Sequence, residues 1–128
     1  MQNQISQVQQ FHETFGQPVL PAPEIPHIDR CSLRHRLLKE EVAEFQDAYL
    51  EGDIVAVADA LTDILYVAFG AALEFGLGEQ MEAFFDEVHR SNMSKAGEGG
   101  KPILSHSGKI QKGPNYSPPD LQKIFDIK

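Results

Sequence analysis

The chain has no tryptophan and a single cysteine, Cys31. One thiol excludes an internal disulfide. Cys31 also has no evident partner base in the sequence, which argues against a cysteine nucleophile. Without tryptophan, any aromatic stacking must come from Phe, Tyr or His. Basic residues are few as well: 11 Lys and Arg stand against 19 Asp and Glu, a formal net charge of −8. That balance speaks against binding the phosphate backbone of DNA or RNA, which calls for a basic face. It leaves a nucleotide open as substrate where cations mediate the contact. The opening MQNQISQVQQ holds neither a basic region nor an apolar run, so no secretory signal is expected, and a reducing cytoplasm is the expected setting. No composition shift or internal repeat divides the 128 residues, and the length prior gives one domain over 1–128. A domain of this size buries a core but often gains by oligomerising.

What is present is helical periodicity. Ile5, Val8, Phe11, His12 and Phe15 recur at helical spacing, so a first helix is expected at about 4–15, ended by Gly16 and Pro18. QPVLPAPEIP is a proline-rich connector that cannot be helical. Asp29 is the expected N-cap of a second helix at about 31–50. Gly52 then stops that helix and Asp53 caps a third, running from Ile54 to Phe75 and ending at Gly76. A fourth, at about 79–92, carries Met81, Phe84, Phe85 and Val88. The tail at 96–128 is Gly-, Ser- and Lys-rich, and a short last helix is expected from Ser117 with Pro118 and Pro119 in its first turn. No clear strand emerges. The expectation is an all-α four-helix bundle, its core at about 30–92, with an irregular C-terminal tail.

The third helix, IVAVADALTDILYVAFGAALEF, is apolar nearly all round, which means burial on all sides or a membrane span. Its length suits a bilayer. Asp59 and Asp63 lie inside it, and each would cost ~3 kcal/mol at a bilayer centre. The flanks are acidic and lack a basic anchor, so a central helix of a soluble bundle is the better reading, without a membrane partner. Two aspartates in such a helix need a reason, because a buried carboxylate without a partner is expensive. By themselves they could cap, pair with Arg or Lys, or line a solvated stripe.

The second helix supplies the other half of a possible site. Glu41 and Glu44, three apart, share a face, and so do Glu40 and Glu44, four apart. Asp59 and Asp63 share one likewise. The break at Gly52 folds the two helices back antiparallel. Counted from Gly52, Glu44 and Asp59 reach nearly the same height, and Glu41 matches Asp63. Four carboxylates can thus face one another across one helix pair. Like charges this close raise one another's pKa unless cations neutralise them. Mg²⁺, held by a few carboxylates and substrate phosphate oxygens, is the natural occupant, with Mn²⁺ the alternative. A solvated acidic face is the plainer reading of the glutamates alone. Height by itself leaves open whether both faces point inward.

These residues carry a resemblance. Glu40-Glu41-Val-Ala-Glu44 followed by Asp59-Ala-Leu-Thr-Asp63 resembles the paired acidic motifs of the all-α nucleoside triphosphate pyrophosphohydrolase superfamily, which includes MazG, dimeric dUTPases, dCTP pyrophosphatases and phosphoribosyl-ATP pyrophosphohydrolase. The first run matches unmodified. The second departs: the family's usual pair is Glu-x-x-Asp, and this chain has Ala60 where that glutamate would stand, with Asp59 beside it. The likeness covers about 32–95. His89-Arg-Ser-Asn-Met-Ser-Lys95 and the later Gly108-Lys109 and Lys112-Gly-Pro-Asn-Tyr116 resemble a bacterial and phage subgroup.

The resemblance implies a MazG-like bundle in which water attacks phosphorus and splits the α–β linkage, releasing a nucleoside monophosphate and pyrophosphate. It implies Glu41, Glu44, Asp63 and Asp59 as metal ligands, and Glu40 or Glu41 as the group that orients or deprotonates the water. Arg90, Lys95, Lys109 and Lys112 could neutralise phosphate oxygens or be solubilising surface. Asn92 could read a base or sugar edge or cap the fourth helix, and Tyr116 could stack on a base or pack. His12, His27, His35 and His106 lack ligand spacing and fall to structural or surface roles. Relatives assemble from such hairpins, so a homodimer or homotetramer is expected through the apolar run from Ile64 to Phe75. House-cleaning of non-standard nucleotides, dUTP or dCTP turnover and phosphoribosyl-ATP hydrolysis all stay open. The competing reading is a non-catalytic helical module that dimerises and binds cations or a basic partner through its acidic face.

Overall fold

The computed structural model describes residues 1–127. It is built from α1 (Gln2–Thr14), α2 (Ile28–Glu51), α3 (Ile54–Glu74), a 3₁₀ turn (Gly78–Gln80), α4 (Met81–Met93), a second 3₁₀ turn (Glu98–Gly100) and α5 (Gln122–Phe125). Strand pairing among the described residues is limited to one isolated antiparallel bridge, Leu104 with Ile110. The all-α expectation is met. The chain packs as two compact units, Met1–Glu79 and Gln80–Lys128.

In the first unit α2 and α3 form the antiparallel hairpin. Gly52 turns the chain in the left-handed region at φ 70, and its N–H closes on the carbonyls of Ala48 and Tyr49. The Asp53 carboxylate accepts from the N–H groups of Val55 and Ala56 at 3.0 and 3.1 Å, capping α3 as its sequence position suggests. The start of α2 corrects one expectation. His27, not Asp29, is the cap, its Nδ1 accepting from the Asp29 N–H at 3.1 Å. Asp29 sits in the first turn, where its charge meets the positive end of the helix dipole.

α1 packs on α3 through Ile5, Val8 and His12, all buried. His12 is structural: its Nδ1 donates to the Pro18 carbonyl at 2.9 Å. The connector after α1 is strapped across the end of α3. The Leu20 N–H donates to the Leu73 carbonyl and the Glu24 N–H to the Phe75 carbonyl, both at 3.0 Å. Gly76, at φ +71, lets the Ala22 carbonyl lie where a side chain would begin.

A buried ion cluster ties these pieces together. Glu74 is fully buried. Arg30 grips it with Nε to Oε1 at 2.8 Å and Nη2 to Oε2 at 3.0 Å, while also donating to Gln17 Oε1 at 3.0 Å. Arg34, itself buried, reaches Glu74 Oε2 with Nη1 at 3.3 Å and donates through Nη2 to the Val67 carbonyl at 2.7 Å. The notch that admits its guanidinium is Gly70. A Cβ there would fall on Arg34 Nη2 and lie 2.9 Å from His12 Nε2.

The burial of α3 is less complete than its sequence suggests. Within this chain its buried residues are Ala60, Gly70, Ala72, Leu73 and Glu74. Val55 is 75% exposed and Leu65 57%. By length and composition α3 could cross a membrane. Beside it, α1 and α3 leave an open groove of about 540 Å³ walled by Phe11, Phe15, Leu65, Tyr66 and Phe69. None of its lining residues is charged.

The second unit is organised by Glu87 on α4. Its carboxylate accepts from Arg90 Nε and Nη2 at 2.7 and 3.0 Å, Lys123 Nζ at 3.0 Å and the Asp120 N–H at 2.9 Å. The Arg90 bonds, then the Asp120 N–H and Lys123, hold it well below the usual carboxylate range. The tail corrects a second expectation: its helix is only Gln122–Phe125, and Pro118 and Pro119 precede it. They lie in a strap tied by side chains. Ser94 Oγ accepts from the Ser117 N–H at 2.8 Å, and Arg90 Nη2 donates to the Pro118 carbonyl at 3.2 Å. Prolines bring no N–H to a helix, and here the chain is held at its carbonyls instead.

Candidate active site

The hairpin seam is layered. Nearest the Gly52 turn, Ala48, Ala56 and Ala60 keep the helices close, Ala48 and Ala60 being buried. Farther along, Glu41, Glu44 and Asp63 each present an oxygen within 4.8 Å of the other two. At the far end, Arg34 of α2 meets the Val67 carbonyl of α3.

Three of the carboxylates singled out in the sequence are therefore brought together. Asp59 stands at the edge of that group. It shares a small recess of about 180 Å³ with Glu44, Asp47 and Glu51, and it lies close enough to act electrostatically on both Glu41 and Asp63. Glu40 is exposed and outside the group of three. Ala60, where the resembled Glu-x-x-Asp pair would have its glutamate, is packed in the alanine layer and offers no ligand.

The electrostatics are those of a site short of positive charge. The Glu41 carboxyl is pushed up to about 7, first by burial, then by hydrogen bonding and repulsion from Glu44, then by Asp63 and Asp59. Asp63 is also raised, by burial and then by Asp59 and Glu44. Glu41 Oε2 is buried with no hydrogen-bond partner. An orphaned carboxylate oxygen among like charges is costly, and a divalent cation would satisfy it. Hard oxygen donors at this spacing suit Mg²⁺ or Mn²⁺ better than softer ions.

This gives a prediction about pH. The folded-state pKa of Glu41 lies above its ordinary 4.5, so folding without metal takes up a proton. The stability this contributes is complete below about 4.5 and is lost as pH rises through about 7. Thermal melts of metal-stripped protein should show Tm falling across that window, more steeply than in Glu41→Gln. Mg²⁺ should raise Tm well above neutrality and add little near pH 5, because protons and metal compete for the same oxygens. Equal slopes for the parent and Glu41→Gln would refute the assignment.

The other residues singled out in the sequence lie in the second unit. The Gly113 N–H donates to the Lys95 carbonyl at 2.9 Å, so the tail returns Lys112 to the neighbourhood of Lys95. Lys112 Nζ stands 4.8 Å over the Tyr116 ring, a cation–π contact. Arg90 is engaged by Glu87, which sequence reasoning missed although the two stand three apart on one helix face. Asn92 is exposed in the last turn of α4, and Ser94 rather than Asn92 is the C-cap. Lys109 is exposed in the loop closed by the Ser105–Lys109 backbone bond.

The family described as phosphoribosyl-ATP pyrophosphohydrolase matches residues 8–92. An uncharacterized protein of Acanthamoeba polyphaga mimivirus is 30% identical over 124 residues, 93% of this chain and 46% of its own length. The chain thus spans about half the length of that curated relative. A crystal structure of a candidate NTP pyrophosphohydrolase from Exiguobacterium sp. 255-15 is 26% identical, with 94% of this chain and 90% of that one covered, at a TM-score of 0.47. On the match that runs from α1 to the last turn of α4, the chain belongs to the phosphoribosyl-ATP pyrophosphohydrolase family.

Proposed function

We propose that the chain is a Mg²⁺-dependent nucleotide pyrophosphohydrolase that hydrolyses the α–β phosphate linkage, converting a nucleoside triphosphate or related nucleotide and water into the monophosphate and pyrophosphate. The observation that carries this reading is the trio Glu41, Glu44 and Asp63, one of whose members, Glu41, has a buried carboxylate oxygen without a hydrogen-bond partner, in a chain of this family. Glu41, Glu44 and Asp63 hold the ion, and Asp59 at the rim adds a further carboxylate in place of the glutamate replaced by Ala60. When bound, the ion lowers the pKa of water, orients the phosphates and offsets developing charge. Glu40, exposed beside the trio, or Glu41 orients the attacking water or takes its proton. Lys95, Lys109 and Lys112 supply cations to phosphate oxygens, and Arg90 keeps a share in this role beyond its pairing with Glu87. Asn92 and Tyr116 offer a polar edge and a ring face to the nucleoside.

The working form is a homodimer or homotetramer in the cytoplasm. The support is the uncharged groove of α1 and α3, whose exposed aromatic and leucine side chains form the kind of patch that marks an interface. Role and substrate follow from one assay. A panel of canonical, deoxy and modified nucleoside triphosphates and phosphoribosyl-ATP should show Mg²⁺-dependent pyrophosphate release with at least one member. A preference for modified or deoxy nucleotides would assign nucleotide-pool house-cleaning. No release from any member would remove the enzymatic reading.

A further inference from the structure

Four carboxylates on facing helices push those helices apart. At one end of the seam the Gly52 turn resists this covalently. At the other, the nearest tie is the bond from Arg34 Nη2 to the Val67 carbonyl, at 2.7 Å. Its position is set by register. Arg34 precedes Glu41 by seven residues on α2, two helical turns on the same face. Val67 follows Asp63 by four, one turn on α3. The tie therefore sits on the same seam as the trio, beyond its outer end.

We propose that Arg34 is a positioning residue for the cation site: its guanidinium, anchored on Glu74 and seated in the Gly70 notch, holds α2 and α3 at the separation that lets Glu41 and Asp63 share one ion. This rests on the trio holding a cation.

The anchoring explains why an arginine serves here. The planar fork spans Glu74 Oε2 and the Val67 carbonyl with two different nitrogens, which a lysine cannot do. Gly70 leaves the space that the fork occupies. Neighbouring Arg30 provides a built-in control. It binds the same glutamate, on α3, but its Nη2 also donates to Gln17, on the connector, and it makes no bond to the α3 backbone. Arg30 and Arg34 thus both bridge α2 to the end of α3 at Glu74, and Arg34 adds the bond to the α3 backbone at Val67, two turns nearer the trio.

That division makes the proposal testable in the intact chain. In Arg34→Met, Glu74 keeps both of its bonds to Arg30, so no uncompensated charge is buried and the fold should persist. Mn²⁺ binding to metal-stripped protein, read by electron paramagnetic resonance, should weaken by roughly tenfold or more, the scale seen when a group that orients metal ligands is removed. Arg34→Lys should fall between the parent and Arg34→Met. In turnover, the Mg²⁺ needed for half-maximal rate should rise in the same proportion, with kcat at saturating Mg²⁺ largely kept. Arg30→Met should lower Tm but leave Mn²⁺ affinity within about twofold, because its bridge to α3 is at Glu74, two turns farther from the trio than Val67, and the Arg34 bond to Val67 stays in place. Unchanged Mn²⁺ affinity in Arg34→Met and Arg34→Lys, both folded by circular dichroism, would overturn the positioning role alone. Equal weakening in Arg30→Met would reduce it to general loosening and overturn it too. Absence of saturable Mn²⁺ binding by the parent would overturn the cation site and this inference with it.

Discussion

Glu44→Gln should abolish pyrophosphate release while leaving a chain that melts at the same temperature as the parent, or higher, when metal is absent. Glu44 contributes one of the three oxygens of the trio. Groups that merely orient metal ligands are worth 10–100-fold, so loss of a direct ligand should cost at least ~100-fold in rate at any Mg²⁺ concentration that the parent can use. The stability sign is opposite because Glu44 repels Glu41 and Asp63 and helps to raise both. Replacing it by a neutral amide relieves that repulsion. The Glu41 carboxyl should then titrate nearer its ordinary value, though still above it, since burial is the larger cause of its shift. The metal-free Tm should accordingly depend less on pH than in the parent. Outright unfolding of Glu44→Gln would identify Glu44 as a structural partner and remove it from the ligand set.

The second large effect concerns assembly. Light scattering at micromolar concentration should give a mass at least twice the 14.3 kDa of one chain. Leu65→Glu should move the population strongly toward that single-chain mass. Leu65 is 57% exposed on the wall of the α1–α3 groove, so the new carboxylate costs little in an isolated subunit. In a two-fold interface each copy would bring it into an uncharged surface, and like charges brought together there cost several kcal/mol. At about 1.4 kcal/mol per tenfold, that weakens association by roughly a hundredfold or more. A parent mass near that of one chain would contradict the assembly. So would a Leu65→Glu variant that assembles as tightly as the parent.

Much of the hairpin was legible because its signals are local. Gly52 and Asp53 state the turn and the cap in adjacent letters. Counting outward from them places Glu41 opposite Asp63 without knowledge of any other contact, and the structure brings those two together with Glu44. Counting could not say that Ala60 would belong to a packed alanine layer or that Asp59 would stand at the rim, because those depend on how the two helices are rotated. The Arg34–Glu74 contact joins residues forty apart at the open end of the hairpin, where the rotation of the two helices decides which side chains meet. Its signal was still present: Glu74 is the sole charge in the run after Asp63, Gly70 stands one turn before it, and Arg30 and Arg34 share a face of α2. The tail was misread because Pro-Pro followed by acid is ambiguous between a helix start and a strap. Side-chain bonds from Ser94 and Arg90 decide it for the strap.

Whether the trio supports hydrolysis at the α–β linkage is tested by ³¹P NMR of the turnover mixture. With metal-stripped protein, a nucleotide selected from the panel and added Mg²⁺, the account predicts that monophosphate and pyrophosphate appear in equal amounts, and that EDTA or replacement of Glu41, Glu44 or Asp63 stops both. Orthophosphate and diphosphate as the products would contradict the site of cleavage. Saturable Mg²⁺ binding without any turnover would contradict catalysis itself and leave a cation-binding helical module.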